Sequence, residues 1–578
     1  MIILGLNIFH GDAAACIIKD GEILIAIEEE RINRVKHSSG FPIESIKYCL
    51  SYCNLKISDI KFVTINRNPK ANIIKKLCFI LKNKPNLRYL VNRFNSLKNI
   101  TSVKKIFNHH FKKEKINFKI INIDHHLSHI SSAFHLSGFE TSSVLSVDGF
   151  GDFVSTMYGE ADRNGIKIKD SVFFPHSLGI FYTAITQHLG FPNYGDEYKL
   201  MGLSSYGEDT QKNKIYKLFT KVTHNFKLNL KYFNHTNNKF NLDFYGQKPI
   251  IGNLFNKEVN EILGQPRNST ENISQYHKDI AKSTQSVYEE IFFKILNNLY
   301  KKTNNKNLSL SGGCAQNSVA NGKILSNTKF DKIYISSSSG DSGGAIGSAT
   351  YFLSKQNTLL KKEEGAFYGP EFNEQQIQMS IEKNQTKLKD VKKIIFDTED
   401  ELVSFISKEI LEKKIVGWFQ GKMEWGPRAL GNRSILANPA IANIKDIINS
   451  KIKRRESFRP FAPSILEEYA NQWFNSDHES PFMSFVTQVN DDKRHIIPSV
   501  VHTDGTGRLQ TVNKKTNPRF YKLIKSFYNL SDIPLLLNTS FNENEPIVMT
   551  PDHAISCFIR TNMDILVMNK IILIRTNK

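Results

Sequence analysis

The sequence predicts an α/β chain of two domains, the first a nucleotide-binding fold with a metal ion at its phosphates. Three observations carry that expectation. The chain has 578 residues, more than one hydrophobic core accommodates. A strand-like run, Ser143–Asp152, ends in a carboxylate, and Leu308–Asn317 and Ser338–Ala345 carry turns rich in glycine and serine. Such turns let backbone N–H groups approach an anion. Finally, His125 and His129 stand one helical turn apart in Ile123–Phe134, so on a helix both imidazoles leave the same face. That pair holds a metal when a third ligand comes from elsewhere.

Met1–Leu6 reads as an apolar strand leading into the small-residue loop Asn7–Ala15. Cys16–Lys19 and Glu22–Ile27 flank Asp20-Gly21, a strong hairpin signal. His10 sits in the first loop as either a structural histidine or a general base. A helix is expected over about 43–53, and residues 70–115, rich in Lys and Asn, read as a helical insertion. Lys119–Ile123 returns to strand. Glu197–Gly207 reads as a compact turn-rich segment, either a buried connector or an active-site wall. Residues 210–270 are polar and irregular, with small strands, and a long helix over about 275–302 feeds the Leu308 strand. Ser311-Gly312-Gly313 then precedes a helix expected from Asn317. The second glycine turn, Gly340–Gly344, carries Asp341, a candidate third ligand; carboxylate with imidazole suits iron, manganese or zinc.

Gly365, Gly369 and Pro370 place a boundary within 353–373, giving domains 1–360 and 361–578. The second domain opens with a helix over 400–413 and a strand over 415–419. Arginines then recur among Gly, Pro and aromatics, in Gln420–Leu436, Lys451–Pro463 and His502–Arg508, followed by the segment Pro534–Asn542. Fixed loops of that kind aim guanidiniums at phosphate or carboxylate, so the expectation is an anion pocket.

The formal net charge is +21, from 77 basic and 56 acidic residues. The excess is spread along the chain, and its densest part, about 70–115, lacks the glycine and aromatic interleaving of a single-strand platform. No nucleic-acid partner is therefore expected, and anionic small molecules suit the charge. No apolar run approaches the roughly 18 to 20 residues that span a bilayer. The first residues have no basic n-region, so no membrane insertion and a cytoplasmic location are expected. The cysteines are scattered without a CxxC pair, which argues against a disulfide framework.

Taken together, the His10 loop, Glu28–Lys36, HHLSH, VDGFGD, EYKLMGLSSYG, SGGCAQN, GDSGGAIGSA, GKMEWGPRALGNRSILA, FRPFAPS and LNTSFN resemble the O-carbamoyltransferases of the tobramycin, cephamycin, novobiocin and nodulation-factor type. The resemblance spans nearly the whole chain. It implies an N-terminal actin-like ATPase domain, similar to tRNA threonylcarbamoyladenosine synthase subunits, and a C-terminal YrdC-like α/β domain. Carbamoyl phosphate would be cleaved, the carbamate adenylated with ATP to carbamoyl-AMP, and the carbamoyl group passed to an acceptor hydroxyl. By motif, His125, His129 and Asp341 would ligate a divalent metal, iron first, with manganese or magnesium as alternatives. Asp148 would support that centre, while Gly312, Gly313 and Asn317 would meet the nucleotide. His10 would deprotonate the acceptor as a base with a pKa of roughly 6 to 7, and Asp12 and Lys36 would help bind the co-substrates. Lys422, Arg428, Arg433, Arg459, Arg508 and Asn538 would grip carbamoyl phosphate.

The acceptor implied is a small molecule with a free hydroxyl, of the sugar, aminoglycoside or polyketide class; the oligomeric state is not legible. Two rival readings stay open: a tRNA-modifying enzyme that carbamoylates an adenosine amine, and a non-transferase actin-like ATP-binding module.

Overall fold

The structure is a computed structural model and describes residues 1–83, 102–236, 240–358, 360–361, 365–476 and 478–576. The chain forms two compact units, residues 1–317 with 324–363 and residues 318–323 with 364–578.

The first unit holds two five-stranded sheets with the same order. In one, β1 (Ile2–Asn7), β2 (Ala14–Lys19) and β3 (Glu22–Glu28) form an antiparallel meander, and β4 (Phe62–Ile65) and β5 (Lys119–Asn122) add in parallel beside β1, giving β3-β2-β1-β4-β5. The expected hairpin turn is present, with Asp20 and Gly21 both at positive φ, 50° and 84°. That backbone matches the twist of the flanking strands. In the other sheet, β6 (Ser142–Gly151), β7 (Val154–Asp162) and β8 (Gly165–Phe173) make the meander. The parallel additions are β13 (Asn307–Ser311) and β14 (Lys332–Ile335), giving β14-β13-β6-β7-β8. Between β8 and β13 lie the small strands β9 (Phe219–Lys221), β10 (Lys227–Leu228), β11 (Leu242–Asp243) and β12 (Ile250–Ile251), and then the helix Gln275–Thr303.

Each sheet's last strand leads to a helix, His125–Ser137 after β5 and Gly343–Lys355 after β14. The two helices pack closely because Gly347 lacks a side chain: a Cβ there would lie 1.9 Å from the Ser128 carbonyl oxygen. Ser131 and Thr350 hydroxyls meet across the contact at 2.9 Å. Both helix starts are thereby brought to one end of the unit, where the site lies.

Two expectations are adjusted. Glu197–Leu203 is helical and continues as a 3-10 turn over Ser204–Tyr206; buried Leu200 and Leu203, three apart, pin one face of it. After β13 the chain makes a 3-10 turn, Gly313–Gln316, before the expected helix, which is short and spans Ser318–Asn321; Gly312 at φ 89° sets that turn. Of the insertion over 70–115, the helices Ile73–Asn83 and Val103–His110 are described, and 84–101 lies outside the described residues.

The second unit is built on a nine-stranded mixed sheet in the order β15-β23-β22-β16-β17-β21-β18-β20-β19. Its strands are β15 (Val391–Ile395), β16 (Val416–Phe419), β17 (Arg433–Ala437), β18 (Ala462–Leu466), β19 (Phe485–Gln488), β20 (Thr506–Val512), β21 (Leu535–Ser540), β22 (Ile565–Met568) and β23 (Ile571–Arg575). The helices Glu399–Leu411 and Pro518–Ser531 cover it through Leu402, Ile406, Phe520 and Phe527, all buried.

Candidate metal centre and anion loop

His125 and His129 do share one face of their helix, and their Nε2 atoms approach to 3.0 Å. Asp341 Oδ1, from the turn before the Gly343 helix, lies 3.5 Å from both. Asp148, near the end of β6, comes as close as the expected ligand: its Oδ2 is 3.3 Å from His125 Nε2 and 3.1 Å from His129 Nε2. Four donor atoms therefore lie within 4.8 Å of one another, and two imidazoles with two carboxylates fit a first-row divalent ion. Both histidines are buried, and among the described residues their Nδ1 atoms have no hydrogen-bond partner. Burial works against charge on His129, but hydrogen bonds to Asp148 and Asp341 hold its pKa up at about 9. Burial likewise pushes Asp148 upward, and the two imidazoles overcome it, keeping the carboxyl well below its usual range. Asp341 is raised, by burial first and by the Asp148 charge second.

The start of the His125 helix is fixed by Asp152, whose Oδ2 accepts from the backbone N–H of His125 at 2.9 Å and of Asn68 at 2.8 Å. An acceptor there satisfies donors the first turn leaves open.

His10 stacks beside the centre, its ring 4.6 Å from that of His125 and its Nδ1 3.9 Å from Asp341 Oδ2. Its Nε2 is buried and has no hydrogen-bond partner among the described residues. Burial, with His125 and Arg67 next, lowers the His10 pKa well below its ordinary value, under the 6-to-7 range expected of it. Asp12 turns away from the four-donor group and pairs with His37 at 2.9 Å. Burial raises its carboxyl, but His37, with Arg31 and Lys36 beyond it, holds it below the ordinary value. Lys36 itself is exposed.

The first glycine turn wraps Asp148: a Cβ at Gly313 would lie 2.9 Å from Asp148 Oδ1, and one at Gly312 would lie 2.2 Å from the Val147 carbonyl oxygen. Asn317 is held by a double amide contact with Gln285, 3.0 Å in each direction.

In the second unit the motif around Gly426–Asn432 closes on Glu424. Its Oε1 accepts from the backbone N–H of Leu430, Asn432 and Arg433 at 2.8, 2.8 and 3.0 Å. Arg433 departs from the expectation of a phosphate-gripping residue. It is fully buried, its Nη atoms donate to the carbonyls of Gln420 at 2.6 Å, Asn432 at 2.9 Å, and Gly421 and Pro370 at 3.2 Å, and it stacks 3.7 Å over the Phe419 ring. A guanidinium directed at main-chain carbonyls holds a loop, so Arg433 is structural. Asn538 is also buried, its amide donating to Ala429 O, Ser464 Oγ and Gln510 Oε1, while its Oδ1 has no partner among the described residues. Gln510 in turn donates to the Leu430 carbonyl at 2.9 Å, tying the loop to the sheet.

Arg508 fits the expected anion pocket better. Its Nη2 donates to Ser318 Oγ at 2.8 Å, and among the described residues it has no carboxylate partner. Burial, and the Arg428 charge after it, lower its pKa well below the usual value, an environment that an anion would relieve. Lys422 is exposed, Arg428 half-buried, and Arg459 lies 3.6 Å from Glu456. Sequence reasoning missed Glu424, Gln510 and Asp152; only Glu424 carried a signal, as an acid inside a loop of glycine, proline and arginine.

Residues 2–350 match the family model described as Carbamoyltransferase N-terminus, and residues 407–575 that described as Carbamoyltransferase C-terminus. Nodulation protein NolNO of Sinorhizobium fredii is 36% identical across 97% of this chain and 78% of its own. Nodulation protein NolO of Bradyrhizobium diazoefficiens is 37% identical across 77% of this chain and 78% of its own. Among solved structures, T. kodakarensis HypF covers 63% of this chain and 48% of its own at 12% identity, with a TM-score of 0.33.

Proposed function

The chain belongs to the carbamoyltransferase family, and from that premise we propose that it is an ATP-dependent O-carbamoyltransferase working through carbamoyl-AMP. Carbamoyl phosphate is hydrolysed to carbamate and phosphate, and carbamate attacks ATP to give carbamoyl-AMP and pyrophosphate. An acceptor hydroxyl then displaces AMP, losing its proton. The acceptor is a small molecule of the sugar, aminoglycoside or polyketide class. The identical strand order of the two sheets in the first unit supports an actin-like ATPase fold for residues 1–360, with a YrdC-like domain proposed for 361–578. Among the described residues no helix is long and apolar enough to cross a membrane, and we place the enzyme in the cytoplasm.

The observation that carries this reading is a base and a charge-neutralising centre side by side. His10 presents an unpartnered buried Nε2 while its ring lies 4.6 Å from that of His125. With its pKa lowered, His10 is neutral at working pH and can accept the acceptor's proton as attack proceeds. His125, His129, Asp148 and Asp341 would hold the divalent ion, which when bound supplies charge neutralisation at the ATP phosphates. Gly312 and Gly313 let main chain approach the nucleotide, since neither carries a side chain to fill the space. In the second unit Arg508 and Arg428 would take the phosphate of carbamoyl phosphate.

The test is release of phosphate and pyrophosphate by purified protein given carbamoyl phosphate, ATP and ferrous or manganous ion. Both products are expected, with pyrophosphate lost in His125→Ala and phosphate lost in Arg428→Ala. Folded, metal-loaded protein that releases neither product overturns the reading.

A further inference from the structure

Tyr194 lies between the helices Leu178–His188 and Glu197–Leu203. Its hydroxyl donates to Asp341 Oδ2 at 3.3 Å. The other oxygen of the same carboxylate, Oδ1, is the one 3.5 Å from both His125 Nε2 and His129 Nε2. The two oxygens of Asp341 thus face in different directions, one to the donor cluster and one to the phenol.

The phenol is held where it is on several sides. Gly11 abuts it so closely that a Cβ there would lie 2.3 Å from the hydroxyl oxygen and 2.4 Å from the ring carbon bearing it. Phe244 packs edge-on at 5.7 Å and 79°, and His37 at 5.7 Å and 74°. The glycine between His10 and Asp12 therefore has a physical reason: any side chain would displace the Tyr194 hydroxyl. Among the described residues, His10 Nδ1 also lies near Oδ2, at 3.9 Å.

We infer that Tyr194 is a positioning residue of the metal centre: by holding Oδ2 it confines Asp341 to ligation through Oδ1 alone. A one-oxygen carboxylate keeps a coordination position available to a phosphate oxygen, whereas a two-oxygen carboxylate would occupy it. Outer hydrogen-bond partners of ligands orient them and tune affinity. The inference rests on the proposed metal centre and adds the coordination mode of one ligand.

The experiment titrates the full-length protein, freed of metal, with Co2+ alone and reads both affinity and the visible d–d absorption band. Tyr194→Phe is expected to bind Co2+ about 10- to 100-fold more weakly, with a band of lower molar absorption, the mark of a higher coordination number once Oδ2 swings in. Gly11→Ala, which displaces the same hydroxyl by another route, is expected to shift the band in the same direction. A merely structural tyrosine would lower the melting temperature and leave the band unmoved. Variants with the wild-type affinity and band overturn the inference while leaving the metal centre standing. Wild-type protein that binds no Co2+ overturns the metal centre and the inference with it.

Discussion

Two buried polar centres among the described residues, one in each unit, satisfy their charges in opposite ways. In the first unit side chain meets side chain, as His125 and His129 converge on Asp148 and Asp341. In the second unit side chain meets main chain. Glu424 gathers three backbone N–H groups, Arg433 donates to four carbonyls, and buried Lys453 donates to the carbonyls of Ser540 and Asn542. Charges directed at main chain fix the course of a loop. Charges directed at one another, with ring nitrogens left unpartnered, bring together donor atoms that a cation can take. The difference separates a scaffold from a site better than residue type does, since Arg433 holds a loop while Arg508 fits the expected anion pocket.

The largest effect expected from that distinction is at Arg433. Truncation by Arg433→Ala leaves several carbonyls buried without donors, and we expect a loss of about 3 to 5 kcal/mol of stability in the second unit, read by urea denaturation. Arg508→Ala removes a buried charge without a carboxylate partner, so stability should change by less than about 1 kcal/mol while KM for carbamoyl phosphate rises. A stable Arg433→Ala protein with weakened carbamoyl phosphate binding would erase the distinction and return Arg433 to the ligand.

A matched exchange at the two centres has a smaller effect and sharpens the contrast. Glu424→Gln keeps an acceptor oxygen but loses charge-assisted bonds, at a cost of about 1 to 2 kcal/mol, and should retain the thermal stabilisation given by added Mn2+. Asp148→Asn should abolish that Mn2+ stabilisation, because a neutral amide replaces one of the four donors. Equal Mn2+ responses in the two variants would remove Asp148 from the metal centre.

The parts legible in the sequence were those that depend on local geometry. The spacing of His125 and His129 puts both rings on one face wherever that helix sits, and Asp20-Gly21 fixes its hairpin within two residues. Asp341 was approachable because a glycine turn before a helix aims outward. Asp148 was expected to assist, but its distance to both histidines depends on how far β6 runs past its neighbours, which only packing decides. The hold of Arg433 on its loop was not legible for a physical reason: arginine among glycine and proline looks the same whether its partner is a ligand or its own main chain. Tyr194 carried no signal at all, since its role comes from Gly11 and Asp341, remote in sequence and adjacent in space. The repeated strand order was equally invisible, because topology is shared between the two sheets without a shared motif.

The same contrast divides the buried histidines, and acid should expose it. His129 faces carboxylates and is raised to about 9, whereas His235 faces the Pro175 carbonyl at 2.8 Å and is held down to about 4, by burial first. His188 is likewise lowered by burial to about 4. For His235 the folded value lies below the ordinary 6.5, so as pH falls the unfolded chain takes up its proton first. Stability is therefore undiminished above about pH 6.5 and declines until about pH 4, by on the order of 2 to 3 kcal/mol for such a group. His129 has the opposite sign, its contribution being complete below about 6.5 and lost as pH rises through about 9. His235→Gln keeps a donor for the Pro175 carbonyl but cannot titrate. We expect its urea midpoint to match wild type within about 1 kcal/mol at pH 7.5 and to exceed it by about 2 kcal/mol at pH 4.5. Identical pH dependence in the two proteins would mean that His235 is already solvated in the folded state, and that burial against main chain does not by itself keep a histidine neutral here.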